Sequence, residues 1–325
     1  MNAAGRLAAF GAGLAVAFTS AYVTAAAVVP DTAVTATQHV GAKPAADHSA
    51  PTAPASPASP MSADPPGLSL AQDGYALSAV RAPVAANDRA TLSFTIAGPS
   101  GTPLLDYATV HDKQLHLIVV RSDGQHFAHV HPVLDQATGI WSMPWMWKAA
   151  GTYRVFADFQ PAQAGSAKLT LTRTVDVAGE LAPSPPLMTR TSDEIAGYTV
   201  DLDGALTAGV SKQLTAKVTR DGEPVTTLQP YLGAYGHLVA LREGDLAYLH
   251  VHPEGAEPAG GRTGGPAVSF AATAPTAGRY LLYLDFKVDD TVHTATFVID
   301  AARDDTNQPG PEPSRDGDAG HAGGH

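Results

Sequence analysis

The chain contains no cysteine. Thiolate catalysis, disulfide bridges and thiolate-based zinc or copper(I) sites are therefore excluded. Positive charge is also scarce. With 20 Lys and Arg against 31 Asp and Glu, the net charge is −11. No basic patch is available for phosphates, which removes nucleic acid as a partner. No stretch keeps the apolar period of a long amphipathic helix. A nucleophile elbow, a P-loop, a His-Glu-x-x-His zinc motif and a dinucleotide fingerprint are all missing. With no catalytic signature to read, the chain is read as a non-enzyme.

What is present describes an exported two-domain protein. At 325 residues, 44% hydrophobic and 16% charged, the composition is globular, and the length suits about two domains. Arg6 is the only charge before Asp31, and Leu7 to Val29 is an uncharged run rich in Ala, Val and Leu. A signal-peptide core takes about 7–15 apolar residues, whereas a bilayer span takes about 20. The run fits the second length. Residues 1–30 are thus read as a single-pass anchor with the remainder outside the cell membrane. Ala25-Ala26-Ala27 leaves open a cleaved signal peptide and a secreted product. Residues 31–66, with "PTAPASPASP", have too few large apolar side chains to offset ordering entropy and read as a disordered spacer. Residues 301–325 read as a disordered tail carrying His321 and His325.

Between these ends lie two copies of one pattern of short β-like runs. "LHLIVV" matches "GHLVAL", "FAHVHP" matches "YLHVHP", and "AGTYRVFADF" matches "AGRYLLYLDF". About seven short strands per hundred residues, punctuated by turns, indicate an all-β chain with two tandem immunoglobulin-like β-sandwiches. Their expected bounds are 67–178 and 197–300, joined by a linker over 179–196. Without disulfides each sandwich must stand on its own core, which a domain of about 100 residues can do.

Histidine carries the chemistry. His129 and His131 are two apart, as are His250 and His252, so each pair projects from one face of a strand. His116 precedes His131 by fifteen residues, and His237 precedes His252 by the same number. If the intervening strands pair as hairpins, His116 joins the first pair and His237 the second. Asp158 and Asp285 occupy matching positions in "FADF" and "YLDF". Each could be a fourth ligand or an acceptor that fixes a histidine tautomer. The expectation is two metal pockets, one of His116, His129, His131 and Asp158, the other of His237, His250, His252 and Asp285. The structural alternative is that these histidines cap strand-end carbonyls and pair with the aspartates, with no ion involved. His111, His126 and His293 have no counterpart in the other copy and read as surface or loop residues. "WSMPWMW", Trp141 to Trp147, reads as a core strand before it reads as a copper(I) site. Imidazole with carboxylate and no thiolate suits copper(II) or zinc(II).

These motifs, in "HDKQLHLIVV…FAHVHP…AGTYRVFADF" and its second copy, resemble actinobacterial membrane-anchored proteins with tandem YtkA-like and FixH-like β-sandwiches. The resemblance covers roughly Gly67 to Asp300. It implies a non-enzymatic, extracytoplasmic protein associated with copper or heavy-metal handling and with cytochrome oxidase maturation. "WSMPWMW" departs from the simpler strand that the resemblance leads one to expect. The functional expectation is a membrane-tethered copper or zinc buffer or delivery protein. The competing expectation is a cell-envelope structural or interaction module that binds a protein partner.

Overall fold

In the computed structural model the described residues are 65–304, apart from 183, 185–187, 250, 256, 259 and 260. The expected anchor, spacer and tail lie outside them, as does His250. Among the described residues every regular element is a β-strand, and no helix is long and apolar enough to cross a membrane.

The first half comprises β1 (Ala71–Gln72), β2 (Tyr75–Leu77), β3 (Arg89–Ala97), β4 (Leu115–Arg121), β5 (Ala128–Val130), β6 (Val133–Asp135), β7 (Ile140–Met146), β8 (Gly151–Phe159) and β9 (Leu169–Val177). One sheet runs β1-β2-β3-β7-β6 and the other β5-β4-β8-β9. The second half comprises β10 (Ser192–Ile195), β11 (Tyr198–Asp203), β12 (Leu206–Thr207), β13 (Ser211–Arg220), β14 (Glu223–Pro224), β15 (His237–Arg242), β16 (Tyr248–Leu249), β17 (Val251–Pro253), β18 (Ala267–Thr273), β19 (Gly278–Val288) and β20 (Thr291–Ala302). Its sheets run β10-β11-β13-β18-β17, with β14 beside β13, and β12-β20-β19-β15-β16. The fold is a duplicated immunoglobulin-like β-sandwich, as the sequence pattern predicts. The join is shorter than expected. Ser192–Ile195 forms a hairpin with β11 across Ala196 and Gly197, both at positive φ, and Arg190 exchanges two backbone hydrogen bonds with Val298.

Alternation along the strands explains the two sandwich cores. On β3, Leu92, Phe94 and Ile96 point inward, and on β13, Leu214, Ala216 and Val218 do the same. The strands β4 and β15 break that alternation, because both of their faces are buried. Leu117 and Val119 enter the first core while Ile118 and Val120 point the other way; Leu238 and Ala240 enter the second core while Val239 and Leu241 point away. The outward sets meet. Ile118, Val120 and Phe156 pack with Val239, Leu241, Leu246, Tyr248, Leu281, Tyr283 and Val298 in a third apolar cluster between the sandwiches.

Polar groups close this seam at its margins. Tyr283 Oη donates to the Gly124 carbonyl at 2.7 Å, and its ring stacks on Phe127 at 4.0 Å and 3°. The Tyr248 amide donates to the Pro66 carbonyl at 2.8 Å. Gly67, at φ +75°, passes so close that an added Cβ would lie 2.8 Å from the Tyr248 Cβ. Only glycine fits there.

Candidate functional site: a histidine cluster between the sandwiches

The seam-facing side of β4 and β15 ends in histidine. His116 continues the row of Ile118 and Val120, and His237 continues the row of Val239 and Leu241, so period-two geometry aims both imidazoles into the gap. Their rings lie 5.4 Å apart and parallel within 2°. β4 pairs with β5 in the antiparallel hairpin that the spacing requires, with Ile118 opposite His129. His129 and His131 thereby reach the same place. The result is a cluster at the junction of the halves.

Hydrogen bonds set the tautomers. His116 Nε2 lies 3.0 Å from the Val110 carbonyl. A carbonyl only accepts, so Nε2 carries the proton and a neutral His116 presents its lone pair at Nδ1. His129 Nδ1 lies 2.9 Å from Asp285 Oδ2, a carboxylate of the other sandwich. Nδ1–H donates to it, and a neutral His129 then presents its lone pair at Nε2. Those two lone-pair atoms face each other at 3.0 Å, and His131 Nε2 lies 3.3 Å from the same His116 Nδ1. The three residues offer ring nitrogens within 4.8 Å of one another. With metal–imidazole bonds near 2.05 Å, separations of 3.0 and 3.3 Å correspond to N–metal–N angles of about 94° and about 107°.

Burial favours the neutral form of His116, His131 and His237. Desolvation foremost, with repulsion from His129 behind it, lowers the His116 pKa to about 4. Desolvation likewise lowers His131 to about 3, followed by its two histidine neighbours. His237 is pushed well below the usual imidazole range, again chiefly by burial. Its Nδ1 is buried with no hydrogen-bond partner. Neutral imidazoles with free lone pairs are the ligand form that transition metals require.

A two-residue hairpin adds a fifth ring. His111 and Asp112 both adopt positive φ, 49° and 62°, between Val110 and Lys113, whose backbone groups bond reciprocally. This turn presents the Val110 carbonyl to His116 and places the His111 ring 5.4 Å from His237. The second copy has the same hairpin, but Leu232, which is buried, stands where the first has His111.

The aspartates match in place and differ in role. Asp158 lies opposite His116 and accepts from Thr170 at 2.9 Å; Asp285 lies opposite His237 and accepts from Thr294 at 2.6 Å. Lys168 Nζ, however, stands 2.7 Å from Asp158, and its counterpart is the uncharged Val292. Asp158 is thus paired with Lys168, whereas Asp285 orients His129. His252 is exposed on β17 opposite Ala271. The chain leaves the sheet of β15 after β16, and the strand that carries His252 pairs with β18. His126 is exposed, and the His293 ring packs against Tyr198 and Phe286 at 5.1 and 5.4 Å. Trp141 and Trp147 are core residues, as the bulky strand predicts.

The duplication has a family behind it. The profile of a family described as Domain of unknown function (DUF8832) matches residues 70–179 and again 193–303. The chain belongs to the DUF8832 family. Each DUF8832 copy coincides with one sandwich, and the second begins at β10. No curated protein sequence matches the chain. Among solved structures, the *Escherichia coli* adhesin FdeC is similar at 16% identity and a TM-score of 0.22, over 72% of this chain and 66% of that one. A putative membrane anchored protein from *Corynebacterium diphtheriae* is similar at 11% and 0.21, over 71% and 59%. *Salmonella* alpha-2-macroglobulin is similar at 12% and 0.24, over 75% and 16%. Scores this low identify neither a ligand nor a role.

Proposed function

We propose that this DUF8832 protein binds a divalent transition metal, copper(II) or zinc(II), through His116, His129 and His131, and serves as a non-enzymatic buffer or delivery protein. One observation carries the reading: two lone-pair nitrogens, His116 Nδ1 and His129 Nε2, converge because their other nitrogens are engaged by Val110 O and Asp285 Oδ2. Opposed lone pairs repel. Either an added proton on His129 or a cation between the rings resolves the conflict, and the oriented triad is the arrangement of a histidine metal site with its outer partners in place. Copper(II) binds such ligands more tightly than zinc(II). The apolar N-terminal run and the spacer support an extracytoplasmic, membrane-tethered setting, and the resemblance to metal-handling sandwiches agrees.

Equilibrium titration of the full chain with Cu(II) and with Zn(II) tests this. Saturable binding is expected, and the double variant His129→Ala with His131→Ala should abolish it. Absence of saturable binding, or binding indifferent to the double variant, overturns the reading. It would leave a His129–Asp285 hydrogen bond in a tethered pair of β-domains.

A further inference from the structure

The sequence motif implies two metal sites, one in each copy, but among the described residues His237 of the second copy stands beside the triad of the first. We propose that the chain holds a single tight ion in a four-imidazole centre shared between the sandwiches, with His237 of the second as the fourth ligand. This rests on the metal-binding reading above and goes beyond it in ligand set, stoichiometry and consequence.

Three observations point to His237. Its Nδ1 is a buried polar atom with no partner, one of only two such side-chain atoms among the described residues. Its ring lies 5.0 Å from His129 and 5.4 Å from His116. The triad's own ring separations are 5.2, 5.0 and 4.9 Å. Two imidazoles on one tetrahedral ion place their ring centres about 5.2 Å apart, given metal–nitrogen bonds near 2.05 Å. Five of the six pairs in the four-ring set therefore already stand at the separation a shared ion demands. The parallel planes of His116 and His237 must still tilt for both lone pairs to meet one ion. A turn of His237 about its Cβ–Cγ bond sacrifices no hydrogen bond at Nδ1.

Sequence order makes the site bipartite. His116, His129 and His131 come from the first sandwich, while His237 and the orienting Asp285 come from the second. An ion held by all four imidazoles crosslinks the two halves at the end of the apolar seam, and its binding energy adds to the docking of one sandwich on the other.

The test uses the full chain and Zn(II). Titration should give one tight equivalent, and X-ray absorption of the zinc complex should count four imidazoles. His237→Ala should weaken affinity at least as much as the loss of an outer partner does, about tenfold or more, and reduce the count to three. His237→Gln covers the case in which the alanine variant does not fold. His293→Ala, which removes a ring packed against Tyr198 and Phe286, should leave affinity and count unchanged. Two tight equivalents, a count of three in the unaltered chain, or unchanged affinity in a folded His237 variant overturns the shared centre, even where the triad variants still abolish binding. Loss of the triad effect instead overturns the metal-binding reading itself.

Discussion

Asp285 shows how much one carboxylate can decide. Buried opposite His237, it accepts from Thr294 and from the Nδ1–H of His129. Asp285→Asn keeps the shape but removes the charge and the acceptor pair that fixes the tautomer. Zinc affinity measured by chelator competition should fall about 10–100-fold, the usual cost of losing an outer partner. Asp158→Asn should lower affinity less, since among the described residues that carboxylate serves Lys168 and Thr170. The histidines also give the unliganded fold a pH dependence. His116 and His131 have folded-state pKa values lowered to about 4 and about 3, against about 6.5 for the unfolded chain. As pH falls below 6.5 the unfolded state takes up protons that the folded state refuses, so stability is lost from there down to about 3. Chelator-treated protein should show a thermal midpoint that falls steadily from pH 7 to pH 4. In His116→Ala with His131→Ala the fall should be shallower.

The decisive strands are β4 and β15. Each is buried on both faces, and the outer face of each forms the seam. Ile118→Ala should destabilise by about 2–5 kcal/mol, the cost of truncating a core aliphatic, although Ile118 belongs to neither sandwich core. Urea unfolding measures this. The unbroken apolar runs "LHLIVV" and "HLVAL" carried that information in the sequence, since a strand without alternation is covered on both sides. What covers them was not legible, because no local signal names a partner sheet. The repeat, the sandwiches and the hairpin uniting His116 with His129 and His131 were all readable from period and spacing. His237 joining the other copy's triad was not. His111 looked like a loop residue and is one, but its hairpin turns inward. Lys168 attracted no notice in the sequence, yet its presence beside Asp158 and absence beside Asp285 give the two equivalent rows different chemistry.

At the scale of the molecule, two sandwiches with a shared third cluster belong to one compact unit. They should unfold together in a single calorimetric transition. Replacing Ile118 and Val239 by Asp, which buries two carboxylates in the seam, should split that transition in two, because each half keeps its own core. The same duality bears on the metal. Asp285 and His129 belong to different repeats, so neither repeat by itself contains both the ligand and the group that aims it. If the proposed centre holds an ion, a protease that cut the chain between Val177 and Ser192 and let the fragments part would therefore discharge it without touching a single ligand. Holding cargo would then depend on the backbone staying whole.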